Sequence, residues 1–325
     1  MRQTQDNRAA VWTRYWATGV AHSCAGSYDE RYEGPIEKFW LSCFNGLPLG
    51  ARVLDVGTGN GPVPRLLLSL PERPDLRCDA IDLAQIAPAW LNALPATSQT
   101  RLNFHGQCGI ESNPFPDACF ECIVSQWGLE YSELSKSIPE VLRLLKPGGS
   151  IGLVMHHQQG LPASIAAHEL EHISWLMSPG GLVDCAQAMI RPMAQAATPA
   201  GLAQLRGDAS ALAIRERYNL QQDLLEQRLK SSSQTEVLKE TRHALALVLQ
   251  KASQLGQADA QAAHTQLKNA LQDSVLRLQE LRSHALDEEG VQTMARQLAK
   301  GATFELNILE DRKEIMGWTL RVSPR

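Results

Sequence analysis

Short apolar runs alternate with helical stretches from residue 51 to residue 157. Five runs have the β-branched and apolar character of strands: RVLDVG (52–57), 78–84, 101–106, 121–126 and 150–156. The first, fourth and fifth are almost continuously apolar, which is typical of strands covered on both faces. Strands that alternate with helical segments predict βαβ units and a parallel sheet. The connecting segments PVPRLLLSL, IAPAWLNAL and LSKSIPEVLRLLKPGG are predicted helices, and Pro139 is expected to delay or kink the last one.

The pattern changes at about residue 158, where a long Ala-, Gln- and Leu-rich tract with few β-branched runs begins. Heptad-like apolar spacing in two segments, 238–255 and 267–285, predicts an antiparallel helical hairpin with its turn near residues 256–259. The apolar stripe has two interpretations, packing within the chain and a coiled coil that forms a dimer. The last 25 residues, with TFELNILED and EIMGWTLRV around a charged turn, predict a terminal β-hairpin.

Composition and charge narrow the class of protein. The chain has 325 residues, of which 44% are apolar and 20% charged, so it can bury a large core in one or two domains. Its net charge is −4, whereas a dedicated nucleic-acid binder is expected to be strongly basic. The polar N-terminus and the absence of an apolar run near the roughly 20 residues that span a bilayer predict a soluble cytoplasmic protein. Seven scattered cysteines are expected to be reduced thiols.

The segment VLDVGTGNG (53–61) runs from a predicted strand into three glycines, which are followed by Pro62 and a helical stretch. Glycine permits a sharp turn and a close approach to a ligand, proline suits a first helical turn, and a helix N-terminus presents free N–H groups. The pattern therefore predicts a cofactor loop. A nicotinamide or flavin loop would need glycine at position 62, and the GK[ST] of a Walker loop is absent.

An acidic residue, Asp82, ends the next apolar strand, 25 residues after Gly57. A doubly wound sheet places at this point the carboxylate that accepts both hydroxyls of a ribose. A strand-terminal aspartate is also a common turn former or helix cap. The glycine loop upstream favours the ribose interpretation.

Four segments, in order, resemble the class I S-adenosylmethionine-dependent methyltransferases, in particular the small-molecule group that includes the ubiquinone and menaquinone methyltransferases. They are DVGTGNG (55–61), AIDLA (80–84), ESNPFPDACFECIVSQWGLEY (111–131) and LRLLKPGGSIGLVMHH (142–157). The resemblance covers about residues 50–157 and, more weakly, 288–322. It implies an α/β fold with a doubly wound, mostly parallel, seven-stranded Rossmann-like sheet, and S-adenosylmethionine as cofactor.

The domain organisation follows from this resemblance. Residues 1–49 are expected to form a helical cap over the cofactor, and 50–157 the cofactor-binding core. Residues 158–287 are expected to be an all-helical insertion, either a lid over the methyl acceptor or the arm of a homodimer. Residues 288–325 are expected to supply a final core helix and the C-terminal hairpin, whose strands are the sixth and seventh of the sheet.

The resemblance also implies cofactor-binding roles. Asp55 would organise the loop, Gly57, Thr58 and Gly59 would flank the methionine and ribose, Asp82 would bind the ribose, and Leu83 would pack on adenine. Gly109 and Ile110 occupy the places where many relatives have an acidic residue and alanine at the adenine amino group. The other cofactor-binding candidates are Gln126, Trp127 and Tyr28. The aromatic N-terminal residues Tyr15, Trp16, Tyr28 and Tyr32 would either cover the sulfonium by cation–π contact or pack a helix on the sheet.

Methyl transfer from a sulfonium is an in-line displacement, so the protein must align the reactants, exclude water and deprotonate a hydroxyl acceptor. The ends of strands four and five face the methyl group in this fold. The catalytic candidates are therefore Glu130, Tyr131, His156 and His157. Histidine is the natural base for a hydroxyl near neutral pH. We accordingly expect a small, bulky or partly apolar acceptor that is methylated on oxygen.

Other interpretations remain beside this one. HELEH (168–172) fits the zinc-hydrolase pattern, but it lacks a third ligand and follows a methyltransferase core, so no metal site is expected. A protein or RNA methyltransferase could dock its substrate through the helical arm, although the near-neutral charge disfavours RNA. A non-catalytic assembly protein that binds the cofactor is the third interpretation.

Overall fold

The structure is a computed structural model that describes residues 2–21, 23 and 33–323. The chain divides into two compact units. Unit 1 consists of Met1–Ser164 and Glu280–Arg325, and unit 2 of Ile165–Gln279. Unit 2 lies within the predicted insertion, 158–287, and the role of that insertion stays a prediction.

Within the described residues, unit 1 contains a seven-stranded sheet. Its strands are β1 (Arg52–Val56), β2 (Arg77–Ile81), β3 (Leu102–His105), β4 (Phe120–Gln126), β5 (Leu145–Met155), β6 (Phe304–Asp311) and β7 (Glu314–Val322). Their order is β3-β2-β1-β4-β5-β7-β6, and β7 is antiparallel to both β5 and β6, whereas the other described strand pairs are parallel. The predicted doubly wound, mostly parallel sheet is therefore confirmed. The strand order changes direction between β1 and β4, where such sheets open a ligand crevice.

The helices of unit 1 lie on both faces of this sheet. They are α1 (Arg2–Trp16), α2 (Pro35–Asn45), α3 (Pro62–Leu68), α4 (Ala96–Gln99), α5 (Leu134–Leu144) and α12 (Glu288–Ala299), with 3-10 turns at Ala89–Ala93 and Leu129–Tyr131. One hydrophobic cluster contains Leu54 of β1 and is covered by α5 and α12. The other contains Val53 and is covered by α2 and α3. Neighbouring strand residues thus face opposite layers, as the alternation of side chains requires.

Two of the predicted connecting helices differ from expectation. IAPAWLNAL forms only the 3-10 turn Ala89–Ala93, which follows Pro88, and Trp90 and Leu91 of this turn are partly buried against the core. The helix around Pro139 begins at Leu134 without delay and continues through the proline. Pro139 lies on the exposed face, while Ile138, Val141 and Leu144 are buried against the sheet. Packing of that face outweighs the lost backbone hydrogen bond.

Unit 2 is helical. Its helices are α6 (Leu161–Leu176), α7 (Leu182–Ala196), α8 (Pro199–Leu205), α9 (Ala209–Ser231), α10 (Glu236–Gln254) and α11 (Gln257–His284), of which α6 and α11 extend into unit 1. The stripe residues Leu238, Leu245 and Leu271 are buried in one cluster of this unit. Packing within the chain accounts for these leucines, and the homodimer stays a prediction. Across the described residues, no helix combines the length and apolar character needed to cross a membrane.

Candidate active site

The glycine loop after β1 has the backbone conformation that its sequence predicts. Gly57, Gly59 and Gly61 have φ values of 71°, 54° and 74°, in the left-handed region that favours glycine. The N–H groups of Gly57 and Thr58 both donate to the carbonyl of Ile81, at 2.9 and 3.0 Å. The loop is thereby tied to the carboxyl end of β2. A Cβ atom at Gly57 would lie 2.9 Å from the Cα of Gly128, so only glycine permits this approach of the two loops.

Asp82 connects the glycine loop to the segment after β2. Its Oδ2 accepts a hydrogen bond from the N–H of Gly59 and its Oδ1 from the N–H of Ala84, both at 2.8 Å. The carboxyl group is buried, and burial raises its pKa to about 6. A carboxylate oxygen can accept two hydrogen bonds, so each oxygen retains acceptor capacity. Asp82 therefore combines a fixed orientation with the ability to bind hydroxyl groups.

Two buried polar atoms at the base of the loop lack hydrogen-bond partners among the described residues: Oδ2 of Asp55 and Oγ1 of Thr58. The two residues are 1% and 4% exposed. The pKa of Asp55 is raised to about 7, mainly by burial; the nearby Thr58 side chain lowers it and the charge of Asp82 raises it. An unsatisfied buried polar group costs about 1–3 kcal/mol. This donor and acceptor set fits a ligand that carries an amino group and hydroxyl groups.

A cleft of about 910 Å³, part of it open to solvent, lies at the carboxyl ends of β1, β2 and β4. Nine of the predicted site residues line it: Gly57, Thr58, Asp82, Leu83, Gly109, Ile110, Gln126, Trp127 and Tyr131. Asp55 of β1 and Gly59 of the glycine loop do not line the cleft but lie beneath it. The structure thus gathers most of the predicted cofactor site in one cleft.

The N-terminal helix α1 contributes Arg8, Trp12 and Trp16 to the cleft wall. Its C-terminal end is held by Asn60 of the glycine loop, whose Nδ2 donates to the carbonyls of Trp16 at 3.0 Å and Val20 at 2.7 Å. The six-membered ring of Trp16 covers Gly59, since a Cβ there would lie 2.6 Å from it. The predicted contact residues Tyr28 and Tyr32 lie outside the described residues.

Two of the predicted catalytic residues, Glu130 and His156, form a buried pair behind the cleft. Oε1 of Glu130 lies 2.9 Å from Nδ1 of His156 and accepts the backbone N–H of the same residue at 3.0 Å. Neither residue lines the cleft. The rings of Trp127 and Tyr131, which do line it, lie 5.7 and 5.6 Å from the His156 ring between centroids. The pair therefore supports the aromatic wall from behind.

His157 has a different environment. Its ring stacks on Trp318 with centroids 4.4 Å apart, and its Nδ1 accepts the N–H of Gln159 at 2.9 Å. Burial lowers its pKa. It does not line the cleft, so Tyr131 is the one predicted catalytic residue, among those described, that does. The catalytic roles of all four residues stay predictions.

Sequence reasoning missed several residues of the cleft and its rim. Arg8 and Trp12 both donate to Oε2 of Glu280 at 3.2 Å, and Arg8 lies over the Tyr131 ring at 5.6 Å. Arg8 and Glu280 are 272 positions apart, so no local pattern could pair them. Glu111 also lines the cleft. Its acidic character next to Gly109 and Ile110 was the available signal.

The HELEH segment lies in α6 of unit 2. Nδ1 of His172 accepts a hydrogen bond from Nε of Arg228 at 2.9 Å, so this nitrogen is engaged by a cation. The pKa of His172 is lowered, mainly because the ring is buried. Over the described part of the chain, no group of three or more His, Cys, Asp or Glu side chains is placed to hold a metal ion.

The sheet order, the glycine loop and the strand-terminal Asp82 together form the arrangement that is expected of a class I S-adenosylmethionine-dependent methyltransferase. The buried acceptors at Asp55 and Asp82 fit the amino and hydroxyl groups of S-adenosylmethionine, the cofactor of that class. Residues 53–149 match the family model described as a methyltransferase domain.

Relatives of known name match the same part of the chain. The ubiquinone/menaquinone biosynthesis C-methyltransferase UbiE of Pseudomonas paraeruginosa is 28% identical over 173 residues, which cover 50% of this chain and 67% of the relative. UbiE of Pseudomonas aeruginosa is 30% identical over 141 residues, which cover 41% and 54%. Among solved structures, geranyl diphosphate C-methyltransferase from Streptomyces coelicolor is similar at 17% identity with a TM-score of 0.37, covering 46% and 64%. The chain thus spans between about half and two thirds of these relatives.

Replacing Asn60 with aspartate is expected to weaken binding of S-adenosylhomocysteine about ten-fold. The aspartate would place an acceptor oxygen against the carbonyls of Trp16 and Val20, so both hydrogen bonds that hold the end of α1 would be lost. Titration calorimetry measures the affinity, and hydrogen exchange of residues 8–20 measures the loosening of the helix. The exposed Asn45→Asp is the matched control. Unchanged affinity in Asn60→Asp would show that α1 does not contribute to the site.

Proposed function

We propose that the protein transfers a methyl group from S-adenosylmethionine to the oxygen of a small, bulky or partly apolar acceptor. The observation that carries this proposal is the cleft in which Asp82 and the glycine loop face an aromatic wall of Trp12, Trp127 and Tyr131. Aromatic and apolar linings with few polar groups are typical of sites for partly apolar small molecules.

We assign cofactor binding to residues at the carboxyl ends of β1 and β2. When bound, the cofactor supplies an electrophilic methyl group. The carboxylate oxygens of Asp82 would accept hydrogen bonds from the ribose hydroxyls. Oδ2 of Asp55 and Oγ1 of Thr58 would form hydrogen bonds with the methionine end of the cofactor. Leu83 and Ile110 would provide the apolar faces for adenine.

The acceptor side is assigned to Tyr131 and the residues around it. The Tyr131 ring is stacked on His284 at 5.1 Å and lies 6.1 Å from the Trp12 ring in an edge-on arrangement. Such a platform would orient an aromatic acceptor and exclude water. Behind it, Oε1 of Glu130 lies 2.9 Å from Nδ1 of His156 and so orients the imidazole ring. Because His156 does not line the cleft, the pair would hold the rings of Trp127 and Tyr131 in place, and the proton of a hydroxyl acceptor would leave to solvent through the open part of the cleft.

Methylation at carbon is the second candidate. It is favoured by the relatives, which are named as ubiquinone/menaquinone biosynthesis C-methyltransferases. Carbon methylation of a phenolic ring also gains from deprotonation of the ring hydroxyl, so the same acceptor platform would serve. We further propose unit 2 as the acceptor-binding lid, with a homodimer arm as the alternative, because it is inserted directly after β5.

The function is tested by incubating the full chain with S-adenosylmethionine labelled in its methyl group and a panel of hydroxylated aromatic acids, catechols and prenylated hydroquinones. Label in an extractable small molecule is expected, and NMR of the product distinguishes an O-methyl from a C-methyl group. Label recovered in added protein or RNA would instead support a macromolecular methyltransferase. Cofactor binding without transfer in any arm would support the non-catalytic assembly.

A further inference from the structure

Arg8 of α1 carries the one positively charged side chain among the described residues that line the cleft. The acidic residues of the same lining are Asp82 and Glu111. The guanidinium of Arg8 lies over the Tyr131 ring, 5.6 Å from its centroid, and the side chain is only 20% exposed. The cleft therefore has one place on its wall where an anionic group of a ligand meets a cation.

Arg8 uses only one of its nitrogen atoms for contacts with the described part of the chain. Its Nε lies 3.0 Å from Oε1 and 3.2 Å from Oε2 of Glu280. The other N–H donors of a guanidinium are on the two Nη atoms, and those of Arg8 make no hydrogen bond with a described residue. Arg8 thus keeps the pair of donors that binds a carboxylate through two parallel hydrogen bonds.

The position of Arg8 along α1 places it at the acceptor end of the cleft. Arg8, Trp12 and Trp16 are spaced by four residues and so lie on one face of the helix. Trp16 covers Gly59 of the glycine loop, and Trp12 stacks on Trp16 with centroids 5.6 Å apart. Two helical turns, about 12 Å, separate Arg8 from Trp16. Arg8 is therefore beside the Tyr131 platform, at the other end of this face from the glycine loop.

We propose that the Nη atoms of Arg8 bind a carboxylate of the methyl acceptor, so that the protein selects an aromatic or partly apolar acid. The inference rests on the proposed function, in which the Tyr131 platform orients the acceptor. The acceptor ring would pack on that platform while its carboxylate accepts charge-assisted hydrogen bonds from Arg8. Ionised Asp82 and Glu111 are acceptors only, so they would disfavour the acid group at the other positions of the wall.

The test compares hydroxylated aromatic acids with their own primary carboxamides, which have nearly the same shape and no charge. Titration calorimetry uses the full chain saturated with S-adenosylhomocysteine. At least one acid of the panel is expected to bind about ten-fold or more tightly than its amide. In Arg8→Gln this preference is expected to fall to about two-fold or less, while the affinity for S-adenosylhomocysteine stays within about three-fold of the wild type. Arg8→Lys keeps the charge without the planar pair of donors, so its preference should lie between the two.

Two control variants separate binding of the acid from support of α1. Glu280→Gln neutralises the partner of Arg8 and leaves the cation, so the acid preference is expected to persist or to rise. Arg14→Gln removes an exposed positive charge from the same helix and is expected to leave the preference unchanged. Loss of the preference in Glu280→Gln as well as in Arg8→Gln would show that the ion pair only holds α1, which would overturn the inference.

The remaining outcomes distinguish this inference from the proposed function. A panel in which no acid binds more tightly than its amide would overturn the inference. Weaker binding of S-adenosylhomocysteine in Arg8→Gln, with the acid preference intact, would assign Arg8 to the carboxylate of the cofactor and would also overturn it. Transfer of a labelled methyl group to neutral acceptors without an acid preference would overturn the inference alone. An acid preference in binding without methyl transfer to any acid would retain the anion site and overturn the proposed function.

Discussion

Asp82→Ala is expected to weaken binding of S-adenosylhomocysteine by at least about 100-fold. The substitution removes both acceptor oxygens proposed for the ribose hydroxyls, and hydrogen bonds to a charged group contribute about 1.5–3 kcal/mol each. It also frees the N–H groups of Gly59 and Ala84, which the carboxylate now holds. Titration calorimetry at pH 7.5 measures the loss.

The affinity of the wild-type chain should also depend on pH through this residue. Burial raises the pKa of Asp82 to about 6, so the ionised acceptor is present above that pH and is lost as the pH falls through it. Binding by the wild-type chain is expected to weaken between pH 7.5 and 5, whereas Asp82→Ala stays weak throughout. Asp117→Ala, which removes an exposed carboxylate paired with Arg143, is the control and should bind normally. Equal affinities of Asp82→Ala and wild type would remove the ribose assignment.

Asp55→Asn is expected to stabilise the cofactor-free protein by about 2–3 kcal/mol more at pH 8.5 than at pH 5. Burial raises the pKa of Asp55 to about 7 in the folded chain, from an ordinary value of 3.8. The stabilisation from the protonated carboxyl is fully present below that ordinary value and is lost as the pH rises through about 7. Asparagine is neutral throughout, so the variant avoids this loss. Urea unfolding at the two pH values measures the difference.

The same substitution is expected to weaken binding of S-adenosylhomocysteine about ten-fold or more, because a neutral amide is a poorer partner for the amino group. A cationic amino group near Asp55 would also lower its pKa, so binding near pH 6.5 should release a proton. Calorimetry in buffers of different ionisation enthalpy measures that proton.

Asp75→Asn provides a control of opposite sign for the stability measurement. Hydrogen bonds from Arg73 and from the N–H of Gly50 lower the pKa of Asp75. Its contribution to stability is therefore present at neutral pH and lost as the pH falls. A wild-type stability that does not decline relative to Asp55→Asn between pH 5 and 8.5 would contradict a charged, buried Asp55 at the base of the site.

The sheet was largely predictable because its signals are local. β1 is a continuous apolar run that ends in glycines, and the terminal hairpin alternates around a charged turn, so composition and spacing within a few residues identify them. The two errors arose where packing outweighs local preference. Pro139 lies within a helix whose opposite face is buried, and IAPAWLNAL forms only a 3-10 turn after Pro88, although Trp90 and Leu91 pack partly on the core.

The cofactor site was predictable for a similar reason. The conformations of Gly57, Gly59 and Gly61 and the position of Asp82 follow from a strand, a turn and the next strand, which are close in sequence. The catalytic side was less predictable. Two adjacent histidines end the same strand, yet one pairs with Glu130 and the other stacks on Trp318. Adjacent strand residues point to opposite faces, and only the neighbours on each face decide their environments.

The sequence by itself determined that this chain forms a doubly wound sheet with a glycine loop and an acidic strand end, because those features depend on contiguous residues. Only the tertiary structure decided that α1 lies on the loop through Asn60, that Arg8 and Trp12 meet Glu280, and that Glu111 lies beside Gly109. Most of these contacts join residues from distant parts of the chain. Packing of whole elements brings such residues together, and no local pattern of side chains specifies it.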